Sequence, residues 1–347
     1  MDLALNLGYW GPGNGSDTVE LAVVADQLGY RCVWAAEAYG SDAVTVLSFI
    51  AARTTQIDVG SAILQIPARS PAMTAMTAAT LDQLSGGRVR LGLGVSGPQV
   101  SEGWHGVRFA QPLGRTREYV QIVNQVLARE TLRFEGKHFT LPLPGGPGKA
   151  LKLAMRPVRS HIPIYLAAVG PKNLELAGEI ADGWHGIFID PERSEDFLTP
   201  LRTGARKAGK GTETDPLAGF DICPSVMVSV ADDLEQAAAP LRAQWALYIG
   251  GMGSREQNFY NRATVAMGYG AAADQIQELY LEGRHREAAA AVPLELIDRT
   301  ALLGSPARIA DRMQRYRDAG TVTLSVTPVG RSIPERAAVL RSLTAAV

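Results

Sequence analysis

The feature that most constrains this chain is a hydrophobic period that keeps switching. Short apolar runs of strand length alternate with stretches in which apolar residues recur every three to four positions. Strands and helices that alternate this way build βα units, whose strands pair in parallel and are covered by their crossover helices. Leu3–Leu7 reads as the first strand, followed by a Gly-rich turn from Gly8 to Gly15. Ser16-Asp17 then offers an N-cap to a helix whose apolar face is Val19, Val23, Val24 and Leu28, and Gly29 ends it. Arg31–Ala35, Ile57–Leu64 and Val89–Leu93 read as strands two to four, with helices over Asp42–Arg53 and from Pro71 onward. After a helix near Arg115–Ala128, the Pro- and Gly-rich stretch Phe134–Arg159 reads as a surface excursion. Ile164–Ala168, Trp184–Ile189, Ile222–Val230 and Val322–Thr327 bring the strands to eight. Helices fit Lys172–Ile180, Pro306–Ala319 and Ile333–Thr344.

Eight such units predict an α/β fold, the (β/α)₈ TIM barrel, and 347 residues suits one barrel as a single domain. The connection between the last two strands is far longer than usual, and helical patterns fit Asp233–Ala246, Ala273–Leu281 and Arg284–Ala291 within it. It reads as a helical insertion, approximately 232–303, between strands seven and eight and over the barrel mouth. The competing topology is a doubly wound open sheet. That fold expects a G-x-G-x-x-G turn after the first strand, which Gly11-Pro12-Gly13-Asn14-Gly15 does not supply.

A formal net charge of -1 gives no general drive toward nucleic acid or an anionic membrane, and no apolar run approaches a membrane span. Cys32 and Cys223 each sit in an apolar stretch and read as buried reduced thiols of a cytoplasmic protein. No secretory leader pattern is visible at Met1-Asp2-Leu3-Ala4. With five scattered histidines and no Cys/His ligand spacing, no metal site is expected. No G-x-S-x-G elbow or Walker loop occurs either. Gly-rich strand ends without metal or activated nucleophile point to a borrowed organic cofactor.

The segments after the strands line the face where such barrels build their sites. Gly8-Tyr9-Trp10-Gly11 offers either packing or the floor of a ligand site. Glu37, directly after the apolar run Val33-Trp34-Ala35-Ala36, is either a partly desolvated proton-transfer group or a salt-bridged acid. Gly60-Ser61-Ala62-Ile63-Leu64-Gln65 would let backbone press against a flat ring. Leu91-Gly92-Leu93-Gly94-Val95-Ser96-Gly97-Pro98-Gln99 would do the same, running on to Trp104-His105. His105 reads as a catalytic acid, a substrate contact or an ordinary loop histidine. Ala168-Val169-Gly170-Pro171-Lys172 opens a helix, so its amides and Lys172 could hold a phosphate, unless it is a simple tight turn. The tetrapeptide Gly-Trp-His-Gly at 103–106 and 183–186 carries no wider repeat.

Several of these segments together resemble the bacterial luciferase-like superfamily. They are Asp58-Val59-Gly60-Ser61-Ala62-Ile63 with Ser70-Pro71, Leu84-Ser85-Gly86-Gly87-Arg88, Leu91–Gln99, Ile164–Pro171, Ala181-Asp182-Gly183-Trp184 and Asn258-Phe259-Tyr260-Asn261. The set is most similar to the deazaflavin branch, related to methylenetetrahydromethanopterin reductase. The resemblance implies an enzyme that uses coenzyme F420, with FMN as the alternative cofactor of a luciferase-like monooxygenase. It also implies a small-molecule substrate and a homodimer. It implies a non-proline cis peptide at Ser61–Ala62 beside the ring, and Val95, Ser96 and Gly97 along ring and ribityl chain. Amides near Ala168, Val169 and Gly170 would take the phosphate, with Tyr9 and Glu37 near the ring. Two departures count against sugar-phosphate oxidation: Ala38 follows Glu37 where those relatives carry an Asp-His pair, and Gly97-Pro98 stands where they carry a carboxylate. The expected reaction is hydride transfer with a small organic substrate, Glu37 or His105 managing a proton. A non-catalytic cofactor-binding scaffold is the alternative from a different class.

Overall fold

The computed structural model describes residues 1–8, 15–255 and 257–346; Tyr9, Trp10 and the rest of the first turn lie outside them. Eight parallel strands close on themselves. They are β1 Asp2–Asn6, β2 Cys32–Ala35, β3 Asp58–Ser61, β4 Val89–Gly94, β5 Ile164–Ala167, β6 Gly183–Ile187, β7 Asp221–Val230 and β8 Thr323–Pro328. Each pairs with the next, and β8 pairs with β1 in the register Leu3↔Leu324 and Leu5↔Val326. The expected barrel is therefore present.

Alternation along the strands sorts the residues. Leu3, Leu5, Val33, Val59, Leu91, Ile164, Leu166, Val226 and Val228 belong to the large apolar cluster that includes residues of the surrounding helices. Burying one such aliphatic side chain is worth about 1.5–3 kcal/mol, which is why these runs are so uniformly apolar. A smaller cluster of Ala4, Cys32, Trp34, Tyr165 and Cys223 comes from alternate strand positions.

That second set shares the barrel with charge. Arg90 donates from Nε to Asp58 Oδ2 at 2.8 Å and from Nη1 to Asp221 Oδ2 at 3.1 Å, and also to the Tyr165 hydroxyl. Tyr165 and Thr323 both donate to the same Asp221 oxygen. These residues sit in the first half of their strands, so the network plugs the barrel's N-terminal end. Above it, His185 stacks on Tyr165 with centroids 5.2 Å apart and meets the Trp34 ring edge-on at 4.2 Å.

Burial, with the charge of Arg90 acting the same way, pushes the His185 imidazole down to about 3 against the opposing effect of its hydrogen bond to the Cys223 backbone. A folded-state value below the unfolded one (about 6.5) means the unfolded chain takes up the proton first. Stability from this group is complete above pH about 6.5 and is lost as pH falls toward 3. His185→Gln should remove about 1.4 kcal/mol per pH unit of slope between pH 6 and 5, read from urea unfolding at several pH values. Equal slopes in both proteins would contradict this placement of His185.

Sequence and structure differ in places with clear causes. The third strand stops at Ser61 and resumes only as Leu64–Gln65, which pairs with Leu93 and Gly94 of β4. The chain bulges between the two pieces. The helix expected over Asp233–Ala246 is broken by Pro240, which has no N–H to give. It runs as Leu234–Ala238, a 3₁₀ turn Ala239–Leu241 and Arg242–Ala246, then widens into a π-turn at Leu247–Gly251. The connection between β7 and β8 also carries Phe259–Ala266, Leu294–Thr300 and a short strand Leu302–Gly304 paired to β7. Its helices share their own apolar cluster around Leu241, Trp245, Ile276 and Leu296. Both cysteines are buried and unpaired, and no helix among the described residues is long and apolar enough to cross a membrane.

Candidate active site at the ends of strands three to five

Three neighbouring strand ends come together because β4 lies between β3 and β5 and is nearly without side chains on one face. A Cβ added to Gly92 would stand 1.8 Å from the Ser61 carbonyl oxygen. Ser61 Oγ instead donates to the Gly92 carbonyl at 2.8 Å and accepts from the Gly92 amide at 3.0 Å. At Gly94 a Cβ would fall 2.8 Å from Ile63 Cδ1 and 3.7 Å from Ala167 Cβ, so this one glycine touches both flanking strand ends. The non-proline cis peptide lies in this bulge, but between Ala62 and Ile63. The expected Ser61–Ala62 is off by one residue, because Ser61 is still a full strand residue, paired with Ala35. Periodicity cannot locate a bulge to one residue.

The protic groups meet one layer above. Glu37 follows β2, its side chain 8% exposed, and both carboxylate oxygens are clamped by Arg69, Oε2 to Nη1 at 2.6 Å and Oε1 to Nη2 at 2.8 Å. The Glu37 hydrogen bond raises the Arg69 guanidinium above its ordinary value. Arg69 Nη2 also donates to Asp42, the N-cap of the helix Ala43–Ala51. The backbone N–H of Gln65 donates to Glu37 Oε2 at 3.2 Å. The Gln65 side chain then spans to His105 Nε2 at 2.8 Å and donates to Ser96 Oγ at 3.2 Å. Ser96 holds a left-handed backbone, φ 62, which costs a non-glycine residue energy and is common where a site dictates conformation. Glu37, Ser96 and His105 thus belong to one network.

Gln65 and Arg69 were not singled out from the sequence. The signals were there: an amide closing the apolar run Ala62-Ile63-Leu64, and a lone cation between Pro67 and Ser70-Pro71. Of the two readings of Glu37, the geometry shows the salt-bridged acid.

At the end of β5, Gly170 N-caps the helix Pro171–Ile180 without any side-chain cap, and a Cβ on Gly170 would meet nothing within 4 Å. Pro171 brings no N–H, and the Asn173 and Leu174 amides donate to the Gly170 carbonyl, which leaves the Lys172 amide and those of the preceding turn to an anion. Ala168 is buried, and its carbonyl accepts from Trp184 Nε1, which fixes the turn. Lys172 is exposed and pairs with Glu175 on its own helix. Gly97 is likewise open: a Cβ there would find its nearest neighbour, Gln99 Oε1, 3.9 Å away. Val95 is half-buried beside it. The expected Tyr9 contact lies outside the described residues.

The connection before β8 reaches the same rim. Phe188, just past β6 and at φ 55, packs edge-on against Trp245 at 4.8 Å and Tyr248 at 5.1 Å. Tyr260 meets Tyr248 at 4.8 Å. Asn258 donates to the Tyr248 and Ile249 carbonyls of the π-turn, and Asn261 donates to Ile249 and Ala273. The Asn-Phe-Tyr-Asn segment is thus the clasp of this connection.

Comparison with known proteins fits this geometry. The luciferase-like monooxygenase family matches residues 7–323. A Mycobacterium tuberculosis protein named as a coenzyme F420-dependent oxidoreductase is 44% identical over 333 residues, 94% of this chain and 95% of its own. The 5,10-methylenetetrahydromethanopterin reductase of Archaeoglobus fulgidus is 28% identical, covering 88% of each chain. The solved tetrahydromethanopterin reductase of Methanopyrus kandleri superimposes with a TM-score of 0.84 at 23% identity, over 100% of this chain and 98% of that one, which speaks to the fold. Barrel, strand-end bulge and family match agree: the chain belongs to the luciferase-like family of enzymes.

Proposed function

We propose that this enzyme binds coenzyme F420 across the ends of β3, β4 and β5 and transfers a hydride between the deazaflavin and a small organic substrate. The observation that carries the reading is the junction at Gly94, where the Ile63 side chain of the bulge and Ala167 pack against the glycine and join the three strand ends into one surface on which a flat ring could lie. The name of the Mycobacterium tuberculosis relative supports the choice of cofactor. A bound 5-deazaflavin would supply two electrons as hydride at C5.

The protein's own part is positioning, exclusion of water and proton handling. The bulge at Ala62–Ile63 would back the ring, Val95, Ser96 and Gly97 would run along its edge and side chain, and the free amides at Val169 and Gly170 would receive the phosphate. Tyr9, from the sequence alone, and Glu37, beside Gln65, complete the proposed cofactor set. His105 is the ionisable side chain of the network not tied into an ion pair among the described residues, and we assign it the proton that accompanies hydride transfer.

The test is turnover with F420 and a panel of secondary alcohols, enones and imines, followed by the cofactor's visible absorbance with and without oxygen. F420-dependent turnover that ignores oxygen is expected. Turnover that requires reduced FMN and oxygen would establish the monooxygenase reading instead.

For the quaternary state we propose a homodimer. Phe49 on the helix Ala43–Ala51 and Met73, Met76 and Leu84 along Pro71–Ser85 are each about half or more exposed. An apolar stripe of this kind favours association with a second copy. Met76→Glu should convert the sedimenting species to monomer, and an unchanged monomeric wild type would refute the dimer.

A further inference from the structure

Among the described residues, Gln65 is the one side chain that joins the groups expected to do chemistry, and its two ends differ chemically. We propose that Gln65 is a positioning residue that fixes the tautomer of His105 and thereby makes Nδ1 the proton-exchanging atom. This rests on the assignment of His105 as the proton-handling group.

The amide NH₂ of Gln65 donates to Ser96 Oγ, which leaves Oε1 toward His105 Nε2 at 2.8 Å. An amide oxygen only accepts, so the imidazole nitrogen opposite it must carry the hydrogen. The neutral ring then keeps its lone pair on Nδ1, and no hydrogen bond engages that atom among the described residues. A partner on one ring nitrogen setting the chemistry of the other is how histidine roles are generally decided.

The orientation of Gln65 is itself held from behind. Its backbone N–H is tied to Glu37 Oε2, and Glu37 is locked by Arg69. Gln65 is buried (4% exposed), so little solvent competes for its amide. The left-handed Ser96 backbone places the hydroxyl that receives the NH₂ group. The clamp Arg69–Glu37 thus acts on His105 through the short Leu64–Gln65 strand. This gives the salt-bridged Glu37 a part in the site without making it a base.

The experiment is ¹⁵N-imidazole NMR of the full-length protein at pH 8, with the His105 resonances assigned by their loss in His105→Gln. Wild type should show one neutral tautomer with the hydrogen on Nε2. Gln65→Met, which keeps length and burial but lacks the amide acceptor, should show a mixture of both tautomers. In turnover with F420 it should lose kcat about 10–100-fold with KM unchanged within about twofold, whereas Gln65→Glu, which restores an acceptor, should recover most of that loss. A wild-type ring protonated on Nδ1, or already a mixture, would overturn the proposal without any variant having to fold. So would an unchanged tautomer in Gln65→Met. The tautomer is read without cofactor, so failure of F420 to bind would be seen separately.

Discussion

Gly92→Ala is expected to unfold the barrel or cost at least about 3 kcal/mol, the upper end for overpacking a core. The added methyl would sit 1.8 Å from the Ser61 backbone oxygen, and that oxygen belongs to a strand, not to a flexible side chain. Relief requires β3 and β4 to separate. Doing so breaks both hydrogen bonds between the Ser61 hydroxyl and the Gly92 backbone, each worth about 1 kcal/mol. The shift would also displace the Ala62–Ile63 bulge, so any folded fraction should lose cofactor affinity. Gly103→Ala is the matched control: its Cβ would meet nothing within 4 Å at the exposed end of a short helix, and it should change stability by less than about 0.5 kcal/mol. Urea midpoints of the two variants give the comparison. A Gly92→Ala protein as stable as Gly103→Ala would mean that β3 and β4 are not packed as described.

The second large effect concerns His105. His105→Gln should lower kcat by about 10²–10⁴-fold, the usual worth of a positioned proton donor or acceptor. Cofactor affinity and unfolding midpoint should be unchanged, because the ring is only half-buried and touches the network through Gln65 alone. Glu37→Gln should behave differently. It leaves Arg69 with Asp42 as its remaining carboxylate and weakens the hold on Gln65, so stability and kcat should fall together. A His105→Gln enzyme with full kcat would remove His105 from the mechanism, and the proton would then have to come from solvent or substrate.

The barrel was legible because its code is redundant. Eight separate apolar runs, flanked by helical periodicity, can tolerate an error in any one, and strand ends shift by a residue or two except in the third, which stops three residues early at its bulge. The connection between β7 and β8 was harder. Pro240 was visible, yet the π-turn beyond it depends on Asn258 and Asn261 capping carbonyls from a distance, a pairing that no local pattern encodes.

The site divides in the same way. Glu37 and Ser96 were found because each sits just past a strand, where barrel geometry concentrates function, and His105 because the connection after β4 runs on to it through the helix Pro98–Gly103. Gln65 and Arg69 were passed over because their importance is relational. A glutamine at the end of an apolar run looks like the edge of a strand until His105 is seen beside it. Glu37 looked like an acid poised for proton transfer because its partner lies 32 residues away in sequence. The cis bond was misplaced by one residue because a bulge changes strand register without changing composition.

The central claim is that the ends of β3, β4 and β5 form one cradle for a deazaflavin ring. Anaerobic titration of the wild-type protein with F420, read by cofactor fluorescence alongside FMN under the same conditions, tests it most directly. Saturable binding at micromolar F420, at least about tenfold tighter than FMN, is the predicted result. Tighter binding of FMN, or no saturation by F420, would contradict it.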